Sequence, residues 1–258
     1  MPDVQPNLPL REWTVLSLRP LGQHAVAHCE SEVRGAKFLA CSSMKLEAIE
    51  NDNALKDVLA CEYIIVTSPA AVRFAAQSAA FSKAPKSRWF ALGEGSASAL
   101  KKAGISDIAI PPDGSHSENL LAMSELQNIR GRHIGLITAP GGRGLIETTL
   151  LERDAIIQVA NLYRRIPLEM SEVEWQSLRD LKPPFAVLCS SQEVFQSFWH
   201  QMDLALQKKL AQGLWIVSSI RLEGIVKAAG IPQASISASP SPAAMLAHLE
   251  HVQMQHVR

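Results

Sequence analysis

The chain has 258 residues, 47% of them apolar and 19% charged, a composition that excludes a disordered or fibrous protein. Its 25 basic and 25 acidic residues cancel to a formal net charge of zero, which argues against a protein that grips nucleic acid through bulk charge. No apolar run approaches the roughly 20 residues of a membrane helix, and the length suits one large or two ordinary domains.

In chain order, Met1 to Leu10 has neither a basic region nor a long apolar stretch and reads as a loose tail rather than a signal peptide. Trp13-Thr-Val-Leu-Ser-Leu18 is a short strand of the buried type, punctuated by Arg19-Pro-Leu-Gly22 and followed by helical periodicity from about Gln23 to Val33. Tyr63-Ile-Ile-Val66 is a second strand. It turns through Thr67-Ser68 into a helix for which Ser68 is a natural N-cap and Pro69 the first helical residue. Trp89-Phe-Ala-Leu92 is a third strand; Gly93-Glu-Gly-Ser96 leads to a helix from Ala97 to Ala103, stopped by Gly104. Ile108-Ala-Ile110 and a helix starting at Ser117 complete the first half.

The pattern then starts again. Val15 and Ile134 open equivalent strands, 119 residues apart, and Ala36 and Ala155 follow equivalent helices at the same offset. Tyr63 to Val72 matches Phe185 to Val194 at 122, and Trp89 matches Trp215 at 126, as Lys101-Lys-Ala-Gly-Ile105 matches Lys227-Ala-Ala-Gly-Ile231. Ordered landmarks at a nearly constant offset imply a tandem duplication of a β-α unit of roughly 120 residues. Strands alternating with helices in each copy predict two similar doubly wound parallel sheets of the α/β class.

The stretch Asp154 to Glu169 begins as an alternating β-rich run and ends in Tyr163-Arg164-Arg165, closed by Pro167; Gly35 to Glu47 has the same shape in the other half. These two segments are expected to be a two-stranded linker between the lobes, with Tyr163 facing the gap. In parallel sheets ligands bind outside the carboxyl ends of the strands. Those ends here are Arg19-Pro20, Thr67-Ser68, Gly93 to Ser96, Ala139 to Arg143, Cys189-Ser190-Ser191 and Ser218 to Arg221. Small polar residues opening helices make good seats for carboxylates or phosphates.

Plainer roles stand beside these. Ser68 and Ser190 read as helix caps, Tyr163 as a strand-end packing residue, Arg164 and Arg165 as solvated surface charges, and Trp89 and Trp215 as core. His24 and His28 lie four apart without a third ligand, so a surface helix is expected rather than a metal site. Gly141 to Gly144 lacks the ending of a P-loop, and no nucleotide is expected there. The cysteines Cys29, Cys41, Cys61 and Cys189 form no Cys-x-x-Cys pair, so a reduced, cytoplasmic chain is expected.

Five segments in this order and spacing resemble the uroporphyrinogen-III synthase family: Ser17-Leu-Arg-Pro20, Thr67-Ser-Pro-x-Ala-Val72, Gly93-x-x-Ser-Ala-x-x-Leu100, Gly141-Gly-Arg-Gly with Leu150, and Val159-x-x-x-Tyr-Arg-Arg-x-Pro167. The resemblance runs from about Trp13 to His248. It implies a discontinuous lobe of residues 1–38 and 168–258, a second lobe of residues 44–162, and paired connectors at 39–43 and 163–167. It also implies the family's reaction, the cofactor-free and metal-free closure of linear hydroxymethylbilane to uroporphyrinogen III with inversion of the last pyrrole ring.

By the same resemblance Tyr163 is the candidate catalytic residue, a proton donor to the leaving hydroxyl; a free phenol titrates near ~10 and arrives at neutral pH with its proton. The candidate substrate-binding set is Arg19, Thr67, Ser68, Gly93, Ser96, Gly142, Arg143, Ser190, Ser191, Ser219 and Arg221. Departures from the family pattern are Ala70 for the usual Asn, Ser96 for Thr, and Arg221 where many relatives carry Thr. The expected partner is the small-molecule substrate, with a hand-over from the upstream bilane-forming enzyme, no nucleic acid, no membrane, and a monomeric state. Competing readings are a non-catalytic binding or sensing protein for a small polyanion, a degenerate synthase homologue, and a sugar-nucleotide transferase. The last lacks an Asp-x-Asp metal motif.

Overall fold

The structure is a computed structural model that describes residues 8–81, 87–112, 114, 116–141 and 144–256. In chain order the elements are β1 (Thr14–Leu18), α1 (Ala25–Glu32), β2 (Lys37–Cys41), β3 (Met44–Ala48), α2 (Asp52–Leu59), β4 (Tyr63–Val66), α3 (Pro69–Ala75), β5 (Arg88–Ala91), α4 (Glu94–Lys102), β6 (Ile108–Ala109) and α5 (Ser117–Leu121). There follow β7 (His133–Thr138), α6 (Leu145–Glu152), β8 (Ile156–Asn161), β9 (Tyr163–Pro167), α7 (Glu172–Asp180), β10 (Phe185–Cys189), α8 (Gln192–Trp199), α9 (Leu204–Leu210), β11 (Leu214–Val217), α10 (Ile220–Ala228), β12 (Ala234–Ile236) and α11 (Pro242–His256).

Two compact units result. Unit 1 combines residues up to Leu46 with those from Arg165 onward, and unit 2 is Glu47–Arg164. Unit 1 holds a five-stranded sheet in the order β12-β11-β10-β1-β2, and unit 2 one in the order β6-β5-β4-β7-β8. Every pair in both sheets is parallel. Replacing β1 and β2 by β7 and β8, and β10, β11 and β12 by β4, β5 and β6, turns the first order into the second. Each unit therefore takes the first part of one sequence copy and the second part of the other.

Burial explains which strands are central. β10, Phe-Ala-Val-Leu-Cys, is buried at every position, as a strand covered on both faces must be. β8 at the sheet edge keeps the alternation visible in its sequence, with Ile156 and Gln158 exposed and Ile157 and Val159 half-buried. The core of unit 1 gathers Phe195, Trp199 and Trp215, whose rings meet at 5.6 to 5.9 Å, and that of unit 2 includes Phe90, Leu120, Leu126 and Ile134. Trp89 and Trp215 are both buried in β5 and β11, as their matching positions suggest. The helices α4 and α10 end alike, at Gly104 with φ +90° and Gly230 with φ +91°, a left-handed turn that a side chain would resist.

Three expectations shift. The helix expected from Ala97 begins at Glu94, directly after Gly93. The strand that pairs with β9 in a separate two-stranded sheet is β3, at 44–48, not the segment 39–43. Residues 39–41 belong to β2, where Leu39, Ala40 and Cys41 pair in register with Leu16, Ser17 and Leu18, and only Ser42 and Ser43 separate the two strands. The register also moves the second copy by one residue. Ile64 lies beside Trp89 and Val187 beside Trp215, so β10 follows β4 at an offset of 123 rather than 122. A continuous apolar run carries no alternation by which sequence could fix that residue.

Gly135 of β7 sets the distance of α2 from its sheet: a Cβ built there would lie 2.6 Å from Val58 Cγ1 and 2.7 Å from the Val58 carbonyl oxygen. Backbone cannot step aside as a side-chain tip can. Gly135→Ala is expected to destabilise the protein by about 1–3 kcal/mol, read as a lower urea midpoint.

Candidate active site

In unit 2 the carboxyl ends of β4, β7 and β8 bring together Thr67, Ser68, Thr138 and Tyr163. Ser68, in extended conformation, caps α3: its Oγ accepts from the Ala71 N–H at 3.0 Å, and Pro69 opens the helix. The same Oγ lies 3.0 Å from the Tyr163 hydroxyl. Tyr163 is only 3% exposed, and its ring lies 5.2 Å from that of Phe74 on α3, with an angle of 14° between their planes. The Arg73 guanidinium sits 5.2 Å from the Phe74 centroid, within cation–π range. Thr67 donates to Thr138 Oγ1 at 2.9 Å. Arg164, the next residue, turns to an exposed ion pair with Glu47 at 2.6 Å, of the kind worth about 0–1 kcal/mol. A cleft of about 550 Å³ lies beside Phe74, lined also by Glu50, Asn51, Asp52, Gln77 and Leu162.

The unit 1 edge is built from the same plan with different side chains. Arg19, at the end of β1, is half-buried; its Nη2 donates to the Pro240 carbonyl at 3.0 Å, and its Nε is buried with no partner among the described residues. Burial lowers the Arg19 pKa, with the neighbouring Cys189 acting in the opposite sense. Burial also pushes the Cys189 thiol up to about 12, so it stays protonated and inert. His24 bridges two buried hydroxyls, Ser17 Oγ at 3.1 Å and Ser42 Oγ at 2.8 Å. The surface helix expected for this residue is thus corrected: His24 precedes α1 and is half-buried, while His28 stays exposed beside Glu32. Among the described residues no group of three or more His, Cys, Asp or Glu is placed to hold a metal ion. No described helix is long and apolar enough to cross a membrane.

The corrected register reassigns two roles. Ser191, not Ser190, caps α8, accepting from the Val194 N–H at 3.4 Å; it lies 123 residues after Ser68. Ser190 instead offers its carbonyl to Ser218 Oγ at 3.2 Å. Gly93 and Ser219, 126 apart, are the N-cap residues of α4 and α10, and Ser219 Oγ accepts from the Leu222 N–H at 3.2 Å. At that offset Ser96 corresponds to Leu222, and both are buried, so the position faces the core in each unit. Arg221 is not its counterpart; it is exposed and donates to Gln192 Oε1 at 2.5 Å. Arg165 pairs with Glu193 at 3.1 Å. Gly142 and Arg143 lie outside the described residues. Phe74 and Gln192 were not legible as site residues. An apolar wall was to be expected beside a buried tyrosine, but no spacing names which helix supplies it.

Two parallel α/β units of one strand order, each composed of both copies of a duplicated sequence, define the class: a duplicated doubly wound protein with polar strand ends and no nucleotide fingerprint. The family model described as uroporphyrinogen-III synthase HemD matches residues 26–247, and the chain belongs to that family. A uroporphyrinogen-III synthase of Proteus mirabilis is 29% identical over 128 residues, 50% of this chain and 58% of that protein. That of Escherichia coli is 32% identical over 111 residues, 43% of this chain and 45% of that protein. The match thus spans about half the length of these relatives. The fold is similar to crystal structures of a mutant uroporphyrinogen III synthase from Thermus thermophilus (TM-score 0.61, 18% identity, 94% of this chain and 99% of that one) and of the enzyme from Helicobacter pylori (TM-score 0.59, 17% identity, 93% and 99%).

Two measurements test this description. Ser191→Ala should cost about 1 kcal/mol of stability, as loss of a helix cap does, and Ser190→Ala much less, both read from denaturant midpoints. For His24, burial first and then Arg19 lower its pKa, with Glu174 opposing. The unfolded chain then binds the proton more readily than the folded one. The stability it contributes is present above the ordinary value of ~6.5 and is lost as pH falls from there through the lowered folded value. The urea midpoint of His24→Gln should accordingly vary less between pH 7.5 and 5 than that of the wild type.

Proposed function

We propose that this protein is a uroporphyrinogen-III synthase, closing hydroxymethylbilane to uroporphyrinogen III with loss of water and inversion of the last ring through a spiro intermediate. The observation that carries the reading is the Tyr163 hydroxyl, held against the α3 cap at the carboxyl edge of the unit 2 sheet. Ionisation of the substrate carbon–oxygen bond needs a proton on the departing hydroxyl, and Tyr163 is the donor. The electron-rich pyrroles then attack without a protein nucleophile. The remaining task is to hold the last ring so that it closes through its substituted carbon, which is a matter of orientation and entropy.

Eight carboxylates on the substrate demand donors spread over a wide surface rather than one basic cluster. Arg19 and Arg221, with the open N–H groups at the starts of α4, α8 and α10, are the seats proposed for them. Arg19 suits this best, since its buried Nε has no partner within the described protein. The cleft beside Phe74 does not: its lining carries Glu50 and Asp52 and no basic side chain, the wrong sign for a polycarboxylate. The protein acts without a cofactor, as a cytoplasmic monomer that takes the bilane from the enzyme making it. In this reading the two compact units, residues up to Leu46 with those from Arg165 onward and Glu47–Arg164, act together as the lobes of the enzyme.

The test is a coupled assay in which hydroxymethylbilane is generated in situ and the oxidised products are separated into type I and type III isomers. Predominantly type III product is expected. Type I alone, at the spontaneous rate and with folded protein, would leave a binding or degenerate role. Tyr163→Phe should lower turnover by about 10²-fold with little change in the unfolding midpoint; undiminished turnover would remove Tyr163 from the mechanism.

A further inference from the structure

We propose that the cleft beside Phe74 is a binding site for a small organic cation with several N–H donors, of the alkylamine or guanidine class. Such binding is independent of the synthase reading.

The cleft lies within unit 2, between the start of α2 and the end of α3, and its volume of about 550 Å³ is that of an ordinary small-molecule site. The duplicated copy shows what fills the same place in unit 1. Ile49 and Leu168, 119 apart, are held alike: the Ile49 N–H donates to the Leu162 carbonyl and the Leu168 N–H to that of Ser43, each at 2.9 Å. At the offset of 123 that relates β4 to β10, Phe74 corresponds to Ser197, Ser78 to Gln201 and Ala79 to Met202. In unit 1 Gln201 spans the groove. Its Nε2 donates to the carbonyls of Leu168 at 3.1 Å and Ser197 at 3.0 Å, and its Oε1 accepts from the Met170 N–H at 3.3 Å. Met202, the next residue, is buried. In unit 2 Ser78 is too short to repeat that bridge; its Oγ accepts instead from the Ala80 N–H at 3.2 Å, and Ala79 is exposed. The room of a planar amide and a buried methionine is left open, and both residues that replace them line the cleft.

What the lining offers is mostly acceptors. Glu50 and Asp52 bring negative charge, and neither is in an ion pair among the described residues. The Ile49 carbonyl stands where that of Leu168 receives the Gln201 amide. Asn51, the N-cap residue of α2, makes no side-chain cap bond, so its amide oxygen is a further acceptor. No basic side chain belongs to the lining; Arg73, whose guanidinium lies on the Phe74 ring, is outside it. A ligand that takes the place of the lost amide must therefore bring N–H donors and a positive charge. An ammonium or guanidinium group has both and no acceptor of its own. Its bonds to the two carboxylates are charge-assisted, roughly twice as strong as neutral ones. Phe74 and Leu162 supply the apolar wall for an alkyl stem.

The experiment is calorimetric titration of the full-length protein at low ionic strength with agmatine, which carries a guanidinium and an ammonium on one alkyl chain. Tetramethylammonium, a cation without N–H groups, and pentanamide, a neutral amide, are the comparison ligands. Agmatine is expected to bind saturably at one site, and the other two about 10-fold more weakly or worse. Glu50→Gln with Asp52→Asn should weaken agmatine by about 10-fold. Ser78→Gln with Ala79→Met, which rebuilds the unit 1 bridge, should abolish the binding. Absence of saturable binding by the wild type overturns the proposal, and so does undiminished binding by the rebuilt variant. Tetramethylammonium or pentanamide binding as tightly as agmatine overturns the ligand class. Should the rebuilt variant fail to fold, the exposed Glu50 and Asp52 decide the matter, since an unchanged agmatine affinity in their double variant places the ligand elsewhere.

Discussion

Parallel strand direction is the constraint from which the other features follow. When all five strands of a sheet run the same way, every carboxyl end lies on one edge and every following helix begins there. The first N–H groups of those helices need acceptors, and the chain provides them at the strand ends as Ser68, Ser191 and Ser219. The candidate site residues lie where they do because of this. Tyr163 follows β8, Arg19 follows β1, and each is set among groups that the fold must place there whether or not any ligand binds. The opposite edge of the unit 2 sheet carries surface ion pairs such as Arg132 with Glu62 and Arg88 with Glu125, which are worth little in water.

Duplication is the second constraint, and it acts by halves. Copy one contributes β1 and β2 to unit 1 and β4 to β6 to unit 2; copy two contributes β7 and β8 to unit 2 and β10 to β12 to unit 1. The two sheets have one strand order because the halves are interchangeable. The chain must therefore leave each unit after its edge strand, and β3 and β9 are the segments at which it does so.

The sequence was most legible where chemistry is local. Tyr63-Ile-Ile-Val66 forms β4 to the residue, Ser68 with Pro69 opens α3, and Gly104 ends α4, because a cap or a left-handed turn is specified by the residue that makes it. It was least legible where specification is collective. The buried runs of β4 and β10 fit each other equally well one residue apart, so the second copy slipped by one, taking the cap from Ser191 to Ser190. Arg221 came to the Ser96 position through the family pattern instead, since the offset of 126 between Trp89 and Trp215 pairs Ser96 with Leu222. The small polar pairs Ser190-Ser191 and Ser218-Ser219 gave no help, since each offers two hydroxyls where only one caps. Contacts that span the sequence were hidden for a different reason. Phe74 meets Tyr163 only because α3 and β9 converge, and His24 meets Ser42 only because β2 lies beside β1.

Comparison of the copies separates what the fold needs from what chemistry adds. Positions alike in both units, the caps Ser68 and Ser191, the core residues Trp89 and Trp215, the turns at Gly104 and Gly230, answer to demands that the two sheets share. Positions that differ cannot be explained by those demands. Thr138 in unit 2 corresponds to Arg19 in unit 1, and Tyr163 to Met44. A half-buried guanidinium costs some desolvation, and a buried phenol must satisfy its hydroxyl, whereas Thr and Met fill the same places in the other unit with fewer polar demands. Stability alone would favour the cheaper residue at both positions. The two expensive groups stand at carboxyl strand ends, one in each unit, which is where the proposed synthase chemistry calls on a positive charge and a transferable proton.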